Sequence, residues 1–161
     1  MDILSKRGQQ SLADEQKARD IFLSNYPMYS YIQTQKDQPA DVDALLVKDG
    51  IIAGVVETKC RYDVDLHGFT ERYENSWLVT FDKVARGKQI ADAMCTKLIG
   101  FLYIVPSETL LVQTISDCGL YIPSIQIITT QTQANINGRT AIRSNAYIDM
   151  SKAKHLVMKS T

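Results

Sequence analysis

The chain has 161 residues, 45% of them hydrophobic, which suits one domain with a real core. Lysine plus arginine equals aspartate plus glutamate at 18 each, so the formal net charge is zero. This excludes a uniformly basic polyanion binder. It leaves room for a local basic groove, or for a carboxylate site that turns positive on taking up metal. The three cysteines, Cys60, Cys95 and Cys118, lie far apart without a C-x-x-C pair, so neither a zinc site nor a disulfide framework is expected. Reduced, mostly structural thiols in a cytoplasmic, intracellular setting are expected instead. Residues 1–10 are polar and lack a signal-peptide pattern. The longest apolar stretch falls far short of a membrane span, so no membrane partner is expected.

Residues 11–26 read as an opening helix, with Ser11 as its cap and Asp14 and Glu15 in its first turn. At ~100° per residue, Leu12, Arg19, Phe22, Leu23 and Tyr26 share one side, and Glu15 projects into that apolar arc. Two readings of Glu15 stand: an exposed i,i+4 pair with Arg19, or a carboxylate aimed at the sheet. Residues 29–34 are a candidate first strand. Residues 43–47 are a strand, Lys48-Asp49-Gly50 a hairpin turn, and residues 51–61 the returning strand. Residues 61–76 read as a polar loop with room for a helical turn, long enough to be functional.

Residues 76–80 suit a short strand. Asp82 is placed to cap a helix running to about Leu98, with Val84, Ala91, Met94, Cys95 and Leu98 as its inner stripe, Lys88 at its border and Gly100 as its stop. Two strands follow, "FLYIVP" and "TLLVQTI". Residues 124–150 read as a second hairpin turning at Asn137-Gly138, and the tail from Ser151 as a basic turn or two of helix. The sequence therefore divides a single domain, 1–161, into a core of about 11–115 and a C-terminal hairpin extension of about 124–150.

The chemistry concentrates at Val55-Val56-Glu57-Thr58-Lys59-Cys60. Alternation puts Val55, Glu57 and Lys59 on one side of the strand. Asp43 precedes the partner strand's apolar run, so Asp43 and Glu57 fall at the same end of the hairpin, opposite its turn. Buried charges of this kind cost free energy unless something uses them. Carboxylates so grouped suit Mg²⁺, a hard cation that prefers oxygen ligands and keeps several waters. A lysine beside them can orient or deprotonate water, and such sites cleave phosphodiesters by in-line attack.

Asp43…Glu57-Thr58-Lys59, with Glu15 on a preceding helix and Lys88-Gln89 on a following one, resembles the signature of the PD-(D/E)XK nuclease superfamily. The resemblance covers about residues 11–115. It implies an α/β fold with a restriction-endonuclease-like core, a mixed β-sheet flanked by helices, to which the C-terminal β-hairpin is an addition. It implies a Mg²⁺-dependent deoxyribonuclease, with Mn²⁺ as a substitute metal. Asp43 and Glu57 would bind the metal with the Thr58 carbonyl as a further ligand, Lys59 would position or activate the attacking water, and Glu15 would support a second metal or hold the first metal's waters. Lys88, Gln89 and Arg86 would contact substrate. DNA is the expected partner and a homodimer is compatible with cutting two strands. Phage, mobile-element or repair roles follow by family analogy alone. The chain departs from the usual Pro-Asp: Pro39-Ala40-Asp41-Val42-Asp43 offers two aspartates, and Asp43 is preferred because it adjoins the apolar run.

Plainer readings accompany these. Glu57 and Lys59 also suit a solvated ion pair. His67 reads as a surface histidine and Trp77 as core. Tyr26, Tyr29 and Tyr31 read as a core edge rather than a base-stacking platform. Arg61, Arg72, Lys83, Arg86 and Lys88 are individually surface charge and collectively candidate phosphate contacts. The rival function is a non-catalytic DNA-binding or assembly subunit on the same fold with a degenerate site. A sugar- or nucleotide-handling enzyme lacks support, for no glycine-rich phosphate loop or G-x-S-x-G motif is present.

Overall fold

In the computed structural model, which describes residues 5–37, 40–131 and 142–160, Asp49 and Gly50 both take positive φ, 51° and 75°. This is the left-handed pair that a type I′ turn requires, and it closes β2 (Ala44–Lys48) onto β3 (Ile51–Arg61). β1 (Tyr29–Gln33) extends this antiparallel unit on the β2 side. On the other side β3 pairs in parallel with β5 (Leu98–Ile104), which pairs with β6 (Thr109–Asp117). β10 (Lys154–Leu156) closes the far edge, and the short β7 (Leu120–Tyr121) also pairs with β6. The result is a mixed open sheet of order β1-β2-β3-β5-β6-β10.

A parallel pair needs a long crossover, and the β3–β5 connection supplies it with α2 (Leu66–Tyr73), β4 (Ser76–Thr80) and α3 (Phe81–Ala93). β4 joins β9 (Ile142–Asp149) and β8 (Ile125–Gln131) in a second, three-stranded sheet of order β4-β9-β8. One face of the main sheet, through Ala44, Val56 and Phe101, packs on Ala18, Ile21 and Phe22 of α1 (Lys6–Asn25). The other face, through Val55, Leu98 and Ile115, packs on Val84 and Ala91 of α3 and on Trp77 and Ile148 of the second sheet. No helix among the described residues is long and apolar enough to cross a membrane.

Several elements differ from the sequence reading. Ser5, not Ser11, caps α1, accepting from the Gly8 N–H at 3.0 Å, so Asp14 lies in mid-helix. Asp14 is fully buried, taking a hydrogen bond from Gln10 Nε2 at 2.8 Å with Lys17 at 3.4 Å. α3 follows Thr80 and ends at Ala93, before the expected Leu98. Met94 and Cys95 are exposed, and Cys95 reverses the chain at φ 51°. Gly100 stops no helix. It lies inside the central strand β5, where Trp77 crosses over it. The expected helical tail is β10, and residues 61–76 contain α2, capped by Asp65 on the Gly68 N–H. The expected hairpin is present as paired β8 and β9, and its proposed turn at Asn137-Gly138 lies outside the described residues. The hairpin also contributes to the core, because Ala146 and Ile148 are fully buried.

A Cβ on Gly100 would stand 2.5 Å from Trp77 Cζ3 and 3.1 Å from Ile115 Cδ1. Both groups are buried and would have to shift, so Gly100→Ala should destabilise the protein by about 1–3 kcal/mol. Urea unfolding followed by circular dichroism should report a lower midpoint; an unchanged midpoint would mean that the Trp77 contact yields.

Candidate active site

The site begins where one strand outruns its neighbour. β2 starts at Ala44, opposite Val56, whereas β3 continues to Arg61 with only β5 beside it. Asp43 still donates its N–H to the Val56 carbonyl at 3.0 Å, and the same register sets it across from Glu57. The Thr58 N–H, left without a strand partner on this edge, donates to Asp43 Oδ2 at 2.8 Å. A buried backbone donor must be satisfied, and here a carboxylate does what the missing strand would have done. Thr34 fixes the aspartate's backbone from the other side. Its Oγ1 donates to the Val42 and Asp43 carbonyls at 2.8 and 2.9 Å.

Glu15 reaches the same place from α1. It does not pair with Arg19, which instead holds its neighbour Asp20 at 2.9 Å. Lys36 Nζ lies between Glu15 Oε2, at 3.0 Å, and Asp43 Oδ1, at 2.8 Å. Burial nevertheless raises the Glu15 pKa, with Lys36 opposing the rise. Lys36 is itself raised: burial lowers its pKa, but the two carboxylates outweigh that. Glu57 stands on the opposite face of β3 from α1 and is 7% exposed. Its Oε1 meets Lys83 of α3 at 3.5 Å, and its Oε2 is buried without a hydrogen-bond partner. Burial first, and then the charge of Asp43, push its pKa up to about 7.

The structure thus links Glu15 to Asp43 through Lys36 and Asp43 to the Thr58 N–H, while Glu57 lies on the other face of β3, near enough for the charge of Asp43 to be felt but paired with Lys83. Lys59 is exposed on the Glu57 side of the strand. Asp41 points elsewhere, paired at 2.9 Å with Arg86 on the surface. Lys88 turns to Asp92 at 2.6 Å and over the Tyr121 ring, and Gln89 is exposed, so α3 presents Lys83 to the carboxylates rather than these two. His67 is exposed, Trp77 is buried, and Tyr26, Tyr29 and Tyr31 pack around Phe22 and Phe101 at the core edge. Lys36 was not legible beforehand. It lies between two strands in a segment without periodicity, and only the Thr34 anchor brings it over Asp43.

The donors fit a hard divalent cation in kind: carboxylate oxygens, plus the Thr58 carbonyl, which leaves β3 on the same edge as its N–H. Glu57 Oε2, buried and without a partner, has an unused acceptor there. Among the described residues, however, no three His, Cys, Asp or Glu side chains converge as a metal site. The two ammonium groups hold the carboxylates instead. No protein-family model matches the chain, and no curated protein matches it.

A raised carboxyl pKa favours the acid form in the fold. Stability from this group is therefore full below the unfolded value, near 4.5, and is lost as pH rises through about 7. Glu57→Gln should remove that slope. In EDTA at pH 8 the variant should exceed the wild type by roughly 3 kcal/mol, and near pH 4 the two should converge. Urea unfolding at pH 4, 6 and 8 checks this; parallel pH profiles would place the titration elsewhere.

Proposed function

We propose that this protein is a metal-dependent deoxyribonuclease with a restriction-endonuclease-like core. The observation that carries the reading is Glu57, a carboxylate buried without a hydrogen-bond partner on one oxygen and driven toward its acid form by burial first and then by the charge of Asp43, at the point where β2 stops short of β3. A fold gains nothing from gathering like charges there unless a cation is to be bound. Asp43, Glu57 and the Thr58 carbonyl would hold Mg²⁺ or Mn²⁺, and Glu15 would hold its waters. Such an ion supplies charge neutralisation at the phosphate and a more acidic water.

The chain's own groups do the positioning. The Thr58 N–H fixes the orientation of the Asp43 carboxylate. Lys59, exposed beside Glu57, orients the attacking water. The water's oxygen bonds to phosphorus as the phosphorus–oxygen bond to the leaving strand breaks; the water's proton passes to solvent and the leaving oxygen takes a proton up from solvent. Lys83 and Lys36 offset charge on the carboxylates before metal enters.

A second reading, a non-catalytic DNA-binding or assembly subunit, is favoured by those same lysines, which neutralise the carboxylates without metal. The two readings part on one experiment. Supercoiled plasmid, linear duplex, single strand and a four-way junction are each incubated with Mg²⁺, Mn²⁺ or EDTA, and metal binding is followed by calorimetry. The nuclease reading expects metal-dependent cutting, reduced at least a hundredfold in Glu57→Gln and Asp43→Asn, with Asp41→Asn close to wild type. Absence of both cutting and metal binding would favour the second reading.

A further inference from the structure

A cavity of about 560 Å³ lies beyond the carboxylates and takes no part in the chemistry above. Its walls are Arg61 at the end of β3 and Arg72, Tyr73 and Glu74 at the end of α2. Its floor is a cross-strand row of the second sheet, in which Leu78 faces Tyr147 and Tyr147 faces Gln126. The opposite side of that sheet, with Trp77, Ala146 and Ile148, is core, so these residues are presented outward by strand alternation.

The arginine and the tyrosine on the wall are preset. Arg61 lies over the Tyr73 ring, 4.7 Å from its centroid, and the Tyr73 hydroxyl donates to Asp63 at 3.1 Å. Asp63 reaches Arg61 Nε only at 3.8 Å, and that nitrogen is buried without a hydrogen-bond partner. That nitrogen faces the protein, so the terminal nitrogens of the Arg61 guanidinium are the ones left for a ligand, with Arg72 exposed in the same lining. Glu57, Lys59 and Arg61 alternate onto one face of β3, so the cavity continues a line from the carboxylates. At ~3.3 Å per residue, Arg61 is ~13 Å from Glu57, a distance of a few nucleotides along a strand.

We propose that this cavity binds an unpaired nucleotide of a nucleic-acid strand, a few positions from the phosphodiester at the carboxylates. Arg61 and Arg72 hold its phosphate, and Tyr147 and Tyr73 offer ring faces to its base. Gln126, Ser76 and Glu74 present hydrogen-bonding groups to the base edge. The volume suits one nucleotide. A base within a duplex is stacked between its neighbours and does not enter such a cavity, whereas a single strand can splay its bases onto aromatic rings. This assignment rests on the nuclease reading for the direction of the strand but not for the binding itself.

The test uses fluorescence anisotropy in EDTA, where nothing is cut. The probes are a fluorescein-labelled twelve-nucleotide single strand and the corresponding blunt duplex. Wild type should bind the single strand more tightly than the duplex. Arg72→Ala and Tyr147→Leu, both outside the core, should each weaken single-strand binding about tenfold. The charge control Lys48→Ala, beside the β2–β3 turn at the opposite end of β3 from Arg61, should change it less than twofold. Equal loss in Lys48→Ala, wild-type binding by both cavity variants, or a preference for duplex would overturn the assignment. Cleavage is scored separately. Binding lost in the cavity variants without metal-dependent cutting in any of the proteins would keep the subsite and remove the nuclease; cutting with unaffected binding would do the reverse.

Discussion

The arrangement depends on a single hydrogen bond, from the Thr58 N–H to the Asp43 carboxylate at 2.8 Å. It marks where β2 has ended and β3 has not. With a longer β2 the Thr58 N–H would be paired within the sheet, and the Asp43 carboxylate would have no donor to take. Because the pairing stops, Asp43 turns to Thr58 and, through Lys36, is tied to Glu15 on the α1 side, while Glu57 faces α3 and Lys83. Breaking this bond would leave a buried donor unsatisfied, a cost of about 1–3 kcal/mol, so the carboxylate contributes to the fold as well as to the site.

Charge is handled in the same economical way. The chain is neutral overall, yet the two lysines at the carboxylates come from separate places, Lys36 from the segment after β1 and Lys83 from α3. The ammonium of Lys36 makes two short contacts to carboxylate oxygens, a geometry that a small cation would also satisfy. A divalent ion entering here would have to replace ammonium contacts rather than fill a void. Affinity for metal would then be a difference between two occupied states, lower than the number of carboxylates implies.

Much of this was legible in the sequence where the physics is local. Asp49-Gly50 specifies its own turn and puts Asp43 and Glu57 at the same end of the hairpin, but turn and alternation alone would set Asp43 across from Val56; a bulge between Leu46 and Val47 shifts the register by one residue and brings Glu57 opposite. Glu15 was ambiguous because a helical wheel gives direction but not what lies opposite; the sheet resolved it. The failures came where long-range packing overrode local pattern. The α3 stripe was extended through Cys95 and Leu98 because the spacing allowed it, but the apolar run that starts at Leu98 is worth more as a strand buried between β3 and β6. Gly100 read as a helix stop, whereas its small size serves the Trp77 ring. Lys36, Tyr73 and Tyr147 carried no signal, since each matters only through neighbours remote in sequence.

One pairing at the sheet's far edge bears on the order of folding. After β10, the Val157 carbonyl accepts from Asn25 Nδ2 at 2.8 Å, and the Lys159 N–H donates to Ser24 Oγ at 3.1 Å. These bonds fasten the end of α1 to chain that lies 132 and 135 residues away. Contacts so distant in sequence close late, after the loop entropy has been overcome. The β2–β3 hairpin, joined by two residues, forms early by the same rule. Asp43 and Glu57 are therefore held by a local hairpin, whereas the far end of the helix that carries Glu15 is held by chain beyond the last strand, so the two flanks of the site answer to contacts of very different sequence range.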